Sequence, residues 1–156
     1  KPTIAGINGS AVGARLSLAM CADIRMASSA ARFHPGYGRV GLSPDGGQTF
    51  TLPEAVGYER AMRFLLELRT IDAEEAHRIG LCLPPVSPNQ IWVQACQIAK
   101  QCTEAPREAI QATKRLLNES IGESLISQLA AGAADSPNTS GLPLLVLIPD
   151  AQAIPW

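Results

Sequence analysis

Long hydrophobic runs are missing from this 156-residue chain, the longest being Leu144 to Ile148. A helix needs ~18–20 apolar residues to cross a bilayer, so no membrane span is expected. The opening Lys1-Pro2-Thr3-Ile4 carries no secretory signal pattern and reads as the middle of a longer polypeptide. Charge of one sign is missing too. Thirteen Lys+Arg against fourteen Asp+Glu leave a net charge of −1, with no general basic field to draw in nucleic acid. Charged residues, at 17%, fall below the ~25% usual in globular proteins. Cysteine is sparse and scattered: Cys21, Cys82, Cys96 and Cys102 form no C-x-x-C and have no nearby histidine pair. No zinc or other metal site and no redox motif is therefore expected, and reduced thiols fit the cytoplasm or an organelle matrix. Cys96 and Cys102 fall in a helical stretch and read as core or boundary residues. Collagen, coiled-coil, acidic-tail and disulfide-scaffold classes are out on composition.

What is present fits one globular domain, with 46% apolar residues in a length close to the ~150-residue prior. Thr3 to Ile7 is a short apolar run stopped by Asn8-Gly9, which predicts a buried strand and a turn. Ala11 to Met20 is small and apolar and predicts a buried helix, whose free N–H groups would face that turn. Asp23 to Ala27 alternates polar and apolar residues, the strand period. Strand, helix, strand is a β-α-β pattern.

Phe33 to Gly47 holds five glycines and two prolines, which predicts a long shaped loop without regular elements. Helices follow. Glu59–Leu68 carries Met62, Leu65 and Leu66 on one stripe. Asp72 precedes Ala73-Glu74-Glu75 as an N-cap, and Gly80 stops that helix. Gln90–Cys102 turns Ile91, Ala95 and Ile98 inward. Pro106 opens a last helix with Ile110, Thr113 and Leu117 inward. Near Ser124 the composition changes. From there to Trp156 only Asp135 and Asp150 are charged, and four prolines recur. Residues 1–123 therefore read as one partial domain and 124–156 as an atypical tail.

Gly36-Tyr37-Gly38-Arg39-Val40-Gly41 matches G-x-G-x-x-G, but His34-Pro35 before it and Pro44 after it deny the strand and helix that a dinucleotide site requires. Ser10 does not sit in a nucleophile elbow. His34 and His77 read as loop and helix-surface residues. Asp45, in Ser43-Pro44-Asp45-Gly46-Gly47, admits two readings: N-cap of a short helix from Gly46, or general base held partly buried in a cleft.

Lys1 to Ala14, Leu18-Ala19-Met20 and Asp23-Ile24-Arg25 strongly resemble the crotonase (enoyl-CoA hydratase/isomerase) superfamily. The likeness continues through Gly41-Leu42-Ser43-Pro44-Asp45-Gly46-Gly47, Leu52-Pro53, Ile71 to Ala76 and Ala112-Thr113-Lys114. It implies an α/β fold, a truncated spiral of ββα turns with C-terminal helices, built into homotrimers or hexamers. It implies acyl-CoA thioester substrates, with coenzyme A part of the substrate and no separate cofactor. It implies an oxyanion hole of two backbone N–H groups, one of which falls on Ala14. The family's turn usually continues with glycine where this chain has Arg15. The hydratases' two glutamates map to Ser17 and Tyr37, whereas isomerase-type and dehalogenase-type members carry an Asp where Asp45 stands. The resemblance therefore implies an enoyl-CoA isomerase with Asp45 and Ala14 as catalytic residues, and Gly13, Ala14, Gly36, Tyr37 and Asp45 around the substrate. Hydration and a catalytically inactive fragment acting through subunit contacts are the alternatives.

Overall fold

A computed structural model describes residues 1–120 and 144–148. The chain winds in repeated turns. The first comprises β1 (Thr3–Ile7), β2 (Ser10–Val12) and α1 (Ala14–Met20). The second comprises β3 (Ile24–Ala27), β4 (Arg32–His34), a 3-10 turn over Tyr37–Val40 and α2 (Gln48–Val56). Stacking one turn on the next pairs β1 with β3 in parallel, Ile4 opposite Ile24, and β2 with β4 in parallel, Ser10 opposite Arg32. Two small sheets grow side by side in this way. β5 (Ile71–Asp72) adds antiparallel to β4, and β6 (Leu144–Ile148) adds parallel to β1.

Buried on both faces, β1 reads as a continuous apolar run, as expected of a parallel strand. Ile4 packs with Met26, Ile91 and Ala95, so α5 (Ile91–Gln101) covers one face. Ala5 and Ile7 join the larger core with Leu16, Phe33, Leu52 and Phe64, on the side of α1, α2 and α3 (Tyr58–Glu67). α4 (Ala73–Arg78) is capped as the sequence predicts: the Asp72 carboxylate accepts from Glu75 N–H at 2.8 Å.

Several local expectations are corrected. The predicted helix from Ala11 begins at Ala14, because Ser10–Val12 is a strand. The stretch from Phe33 to Gly47 is not free of regular structure, since β4 and the 3-10 turn lie in it. In α3 the inward residues are Ala61 and Phe64 with Leu65 partly buried, while Met62 and Leu66 are exposed. Cys96 is exposed rather than core, whereas Cys82 is buried and burial pushes its thiol up to about 11. Thr113 and Leu117 of α6 (Arg107–Glu119) are exposed rather than core residues. With Ile110, Met20 and Phe50 they line a groove of about 660 Å³. Beyond β6, the tail lies outside the described residues. Among the described residues no helix is long and apolar enough to cross a membrane.

Asp23 ties three elements together. Its Oδ2 accepts from Thr3 N–H at 2.6 Å, the Thr3 hydroxyl at 2.9 Å and the Lys114 ammonium at 2.6 Å. Burial pushes this carboxyl up, but Lys114 and Thr3 outweigh it and hold it below its ordinary 3.8. A group whose folded pKa is depressed contributes stability above its unfolded value and loses it as pH falls through the folded one. Asp23→Asn is therefore expected to cost about 1 kcal/mol at neutral pH, discounted for solvent screening. It should also flatten the fall of Tm below pH 3.8. Thermal unfolding across that range checks both, and an unchanged acid limb would remove the pair from the account.

Candidate active site

Three separate stretches converge at the start of α1. Gly13 carries a positive φ of 53° and is followed by Ala14, the first helical residue. The N–H of a first helical residue has no partner within its helix, and that of Ala14 makes no hydrogen bond among the described residues. Ala14 is exposed, and this donor, at the positive end of the helix dipole, has no partner among the described residues. Arg15 is half-buried and does not prevent the helix from starting at Ala14.

Gly36 comes so close to Gly13 that a Cβ on it would sit 2.9 Å from Gly13 N and 3.0 Å from Gly13 Cα. Tyr37 is 8% exposed, and its ring lies beside Gly13. Its hydroxyl donates to Asp45 Oδ1 and lies 3.2 Å from Ser17 Oγ. Ser17 Oγ also reaches the Asp45 carbonyl at 3.1 Å and the Gly13 carbonyl at 3.4 Å. Burial first, and the Asp45 carboxylate second, push the Tyr37 phenol above its ordinary 10.0, so it is a neutral donor. Gly46 completes the approach, because a Cβ there would meet Ser17 Cβ at 2.9 Å.

Asp45 does not cap α2, and it lacks the partly buried setting expected of a base. The cap of α2 is Gly47 in the left-handed region, and no side chain bonds there. Asp45 contributes only its carbonyl, which accepts from Gln48 N–H at 3.1 Å. Nor is the residue partly buried: Asp45 is exposed, with one carboxylate oxygen turned back to the Tyr37 hydroxyl.

His34 is a residue that its sequence context hides. It is 7% exposed rather than a surface loop residue. Its Nδ1 accepts from Gly36 N–H at 2.8 Å, which leaves Nε2 to donate to the Leu68 carbonyl at 2.9 Å. The imidazole thereby clamps the Gly36–Tyr37 turn to the end of α3, where Leu68 holds a left-handed φ of 52°. No motif marks it. Gln48 was also missed. Its side chain is fully buried, and neither of its polar atoms has a partner among the described residues. His77 is a helix-surface residue as expected, with Nδ1 3.1 Å from the Cys82 carbonyl.

No group of three or more His, Cys, Asp or Glu suited to a metal ion occurs among the described residues. The chemistry on offer is thus an unpaired amide at Ala14 and an exposed carboxylate bonded to a buried phenol that lies against Gly13. The groove under α6 is lined by other residues.

Stacked ββα turns with an unpaired amide at a helix start define a crotonase-like α/β domain. The sequence profile of the Enoyl-CoA hydratase/isomerase family matches residues 1–138, and the chain belongs to that family. It is similar to 4-chlorobenzoyl coenzyme A dehalogenase-1 of an Arthrobacter species, 35% identical over 127 residues that make up 81% of this chain and 46% of that one. Among solved structures it resembles an enoyl-CoA hydratase/isomerase from Cupriavidus metallidurans CH34, at 38% identity and a TM-score of 0.82 over 86% of this chain and 51% of that one. A Thermobifida fusca YX protein solved in complex with acetoacetyl-CoA superposes with a TM-score of 0.81 at 33% identity, over 85% of this chain and 52% of that one. The chain spans about half the length of the relatives it matches.

Proposed function

We propose that these residues serve an acyl-CoA double-bond isomerase, with Ala14 N–H as one oxyanion donor and Asp45 as the base. The carrying observation is that Tyr37, whose ring lies against Gly13, hydrogen-bonds the one carboxylate at these positions, Asp45. The two positions where hydratases carry glutamates hold Ser17 and Tyr37, which hydrogen-bond to each other and to Asp45. A hydroxyl and a phenol do not act as a pair of carboxylate bases on water, whereas one carboxylate suffices to move one proton between two carbons.

Asp45 takes a proton from C2 of a 3-enoyl-CoA. The C2–H pair becomes the C1=C2 bond, and the thioester π pair moves onto oxygen, where Ala14 N–H meets it. The oxygen pair then re-forms C=O, C2=C3 forms, and the C3=C4 pair takes the proton back from Asp45 at C4. The product is the 2-enoyl thioester. Preorganised donors where charge develops supply the largest part of such a barrier reduction. Coenzyme A belongs to the substrate, and assembly as a homotrimer or pair of trimers is part of the same reading.

The assay supplies a 3-enoyl-CoA and follows the absorbance of the conjugated product, with 3-hydroxyacyl-CoA measured in parallel. Isomer without hydroxyacyl product is expected; hydroxyacyl product from a 2-enoyl-CoA would replace this reading with a hydratase. The likeness to a 4-chlorobenzoyl-CoA dehalogenase favours a second use of the same carboxylate, attack on an aryl carbon. Chloride release from 4-chlorobenzoyl-CoA distinguishes it.

A further inference from the structure

The geometry points to Tyr37 as the residue that positions the Asp45 base, by pinning Oδ1 and leaving Oδ2 as the one oxygen that handles the proton. This inference rests on the proposed role of Asp45. It starts from an imbalance between the two side chains. Asp45 is exposed; Gln48 N–H and Ser17 Oγ hold its carbonyl, each at 3.1 Å, but neither holds its carboxylate. Among the described residues its carboxylate has one hydrogen-bond partner, the Tyr37 hydroxyl.

Tyr37, by contrast, is held from several directions. Its ring lies against Gly13, with two ring carbons 3.8 and 3.9 Å from where a Gly13 Cβ would be. Its N–H donates to the Pro35 carbonyl at 3.0 Å, and its carbonyl accepts from Leu42 N–H at 3.1 Å. Ser17 braces its hydroxyl at 3.2 Å. The Gly36 N–H before it is anchored on His34. A rigid phenol therefore connects the turn before the Ala14 amide to the exposed acid. The ring sets the spacing of oxyanion donor and base.

Pinning one carboxylate oxygen has a kinetic signature. Free rotation about the side chain would present either oxygen to C2 and C4 and expose the carried proton to water. With Oδ1 held, the oxygen that receives the C2 proton is the one that returns it at C4. Tyr37 neither touches the reacting carbons nor takes the proton, so it is a positioning residue.

The test is Tyr37→Phe in the protein, assayed with a 3-enoyl-CoA deuterated at C2. The phenylalanine ring keeps the packing against Gly13, so the variant should unfold at close to the parent Tm. We expect kcat to fall about 10- to 100-fold, as a misplaced reacting group does. KM should change little, and deuterium delivered to C4 should drop in favour of solvent hydrogen. Ser17→Ala keeps the Tyr37–Asp45 bond and should retain most of the transfer. Parent-like kcat and transfer in folded Tyr37→Phe, beside an inactive Asp45→Asn, would overturn the positioning role and leave the base in place. Equal losses of transfer in both hydroxyl variants would also overturn it, by making the network rather than the phenol the restraint. An active Asp45→Asn would overturn the base itself.

Discussion

Asp45→Asn is expected to lower the turnover of a 3-enoyl-CoA by about two to four orders of magnitude, the usual contribution of a positioned general base. The amide occupies the same volume and its Oδ1 still accepts from the Tyr37 hydroxyl, so the local contacts are kept. What it loses is the lone pair of a base. Because Asp45 is exposed and contributes only its carbonyl to the start of α2, folding should be nearly unaffected. Loss of activity at an unchanged Tm separates chemistry from structure. An acyl-CoA should still raise the Tm of the variant, since a ligand that binds the native state stabilises it whether or not it reacts. Parent-like turnover in Asp45→Asn would sink the isomerase reading.

Gly36→Ala should have the largest effect on stability and should also reach the site. Gly36 adopts φ 81° with ψ −54°, outside the left-handed helical region, where an L-residue costs about 1–3 kcal/mol. Its Cβ would press on Gly13 N at 2.9 Å, Gly13 Cα at 3.0 Å and Val12 Cγ1 at 3.2 Å, two of them backbone atoms that cannot rotate away. Overpacking of that kind adds about 1–3 kcal/mol, so a total near 2–6 kcal/mol is expected in chemical denaturation. Relief requires Gly13 to move, and the Ala14 amide moves with it. The fraction that remains folded should therefore turn over more slowly. Gly41→Ala is the control: φ there is 73°, but nothing lies within 4 Å of its Cβ. It should lose only the conformational part, about 1–2 kcal/mol. Equal destabilisation in the two variants would mean that the close approach of Gly36 to Gly13 carries no weight.

The expectations that held depend on local chemistry. β1 is legible because a strand buried on both faces needs an unbroken apolar run, and Thr3–Ile7 supplies one ended by Asn8-Gly9. α4 is legible because an aspartate placed three residues before a glutamate N–H caps a helix wherever it folds. The failures are equally physical. β2 and β4 have three residues each, too few to display a period of two, and Ala11-Val12 merges by eye with the helix after it. A short helix from Gly46 is one of the two readings at Asp45; α2 instead starts at Gln48 and continues through Pro53, which disfavours a helix locally. Burial of Leu52 and Val56 overrides that preference. In α3 the expected stripe of Met62, Leu65 and Leu66 is shifted: Ala61 and Phe64 face the core with Leu65 at its edge, while Met62 and Leu66 are exposed.

Residue types and local order already carried the β-α-β start and the family likeness, and that likeness in turn implied the donor at Ala14 and the lack of acids at Ser17 and Tyr37. Apolar runs and glycines that permit positive φ need only neighbours in the chain. Stacking one ββα turn on the next decided the rest. It brought Gly36 against Gly13, turned the Tyr37 hydroxyl onto Asp45, and buried His34 between two backbone groups far apart in sequence. Contacts of that kind depend on the pitch of the spiral and on which side chains fill the space between its turns, and no local pattern encodes either.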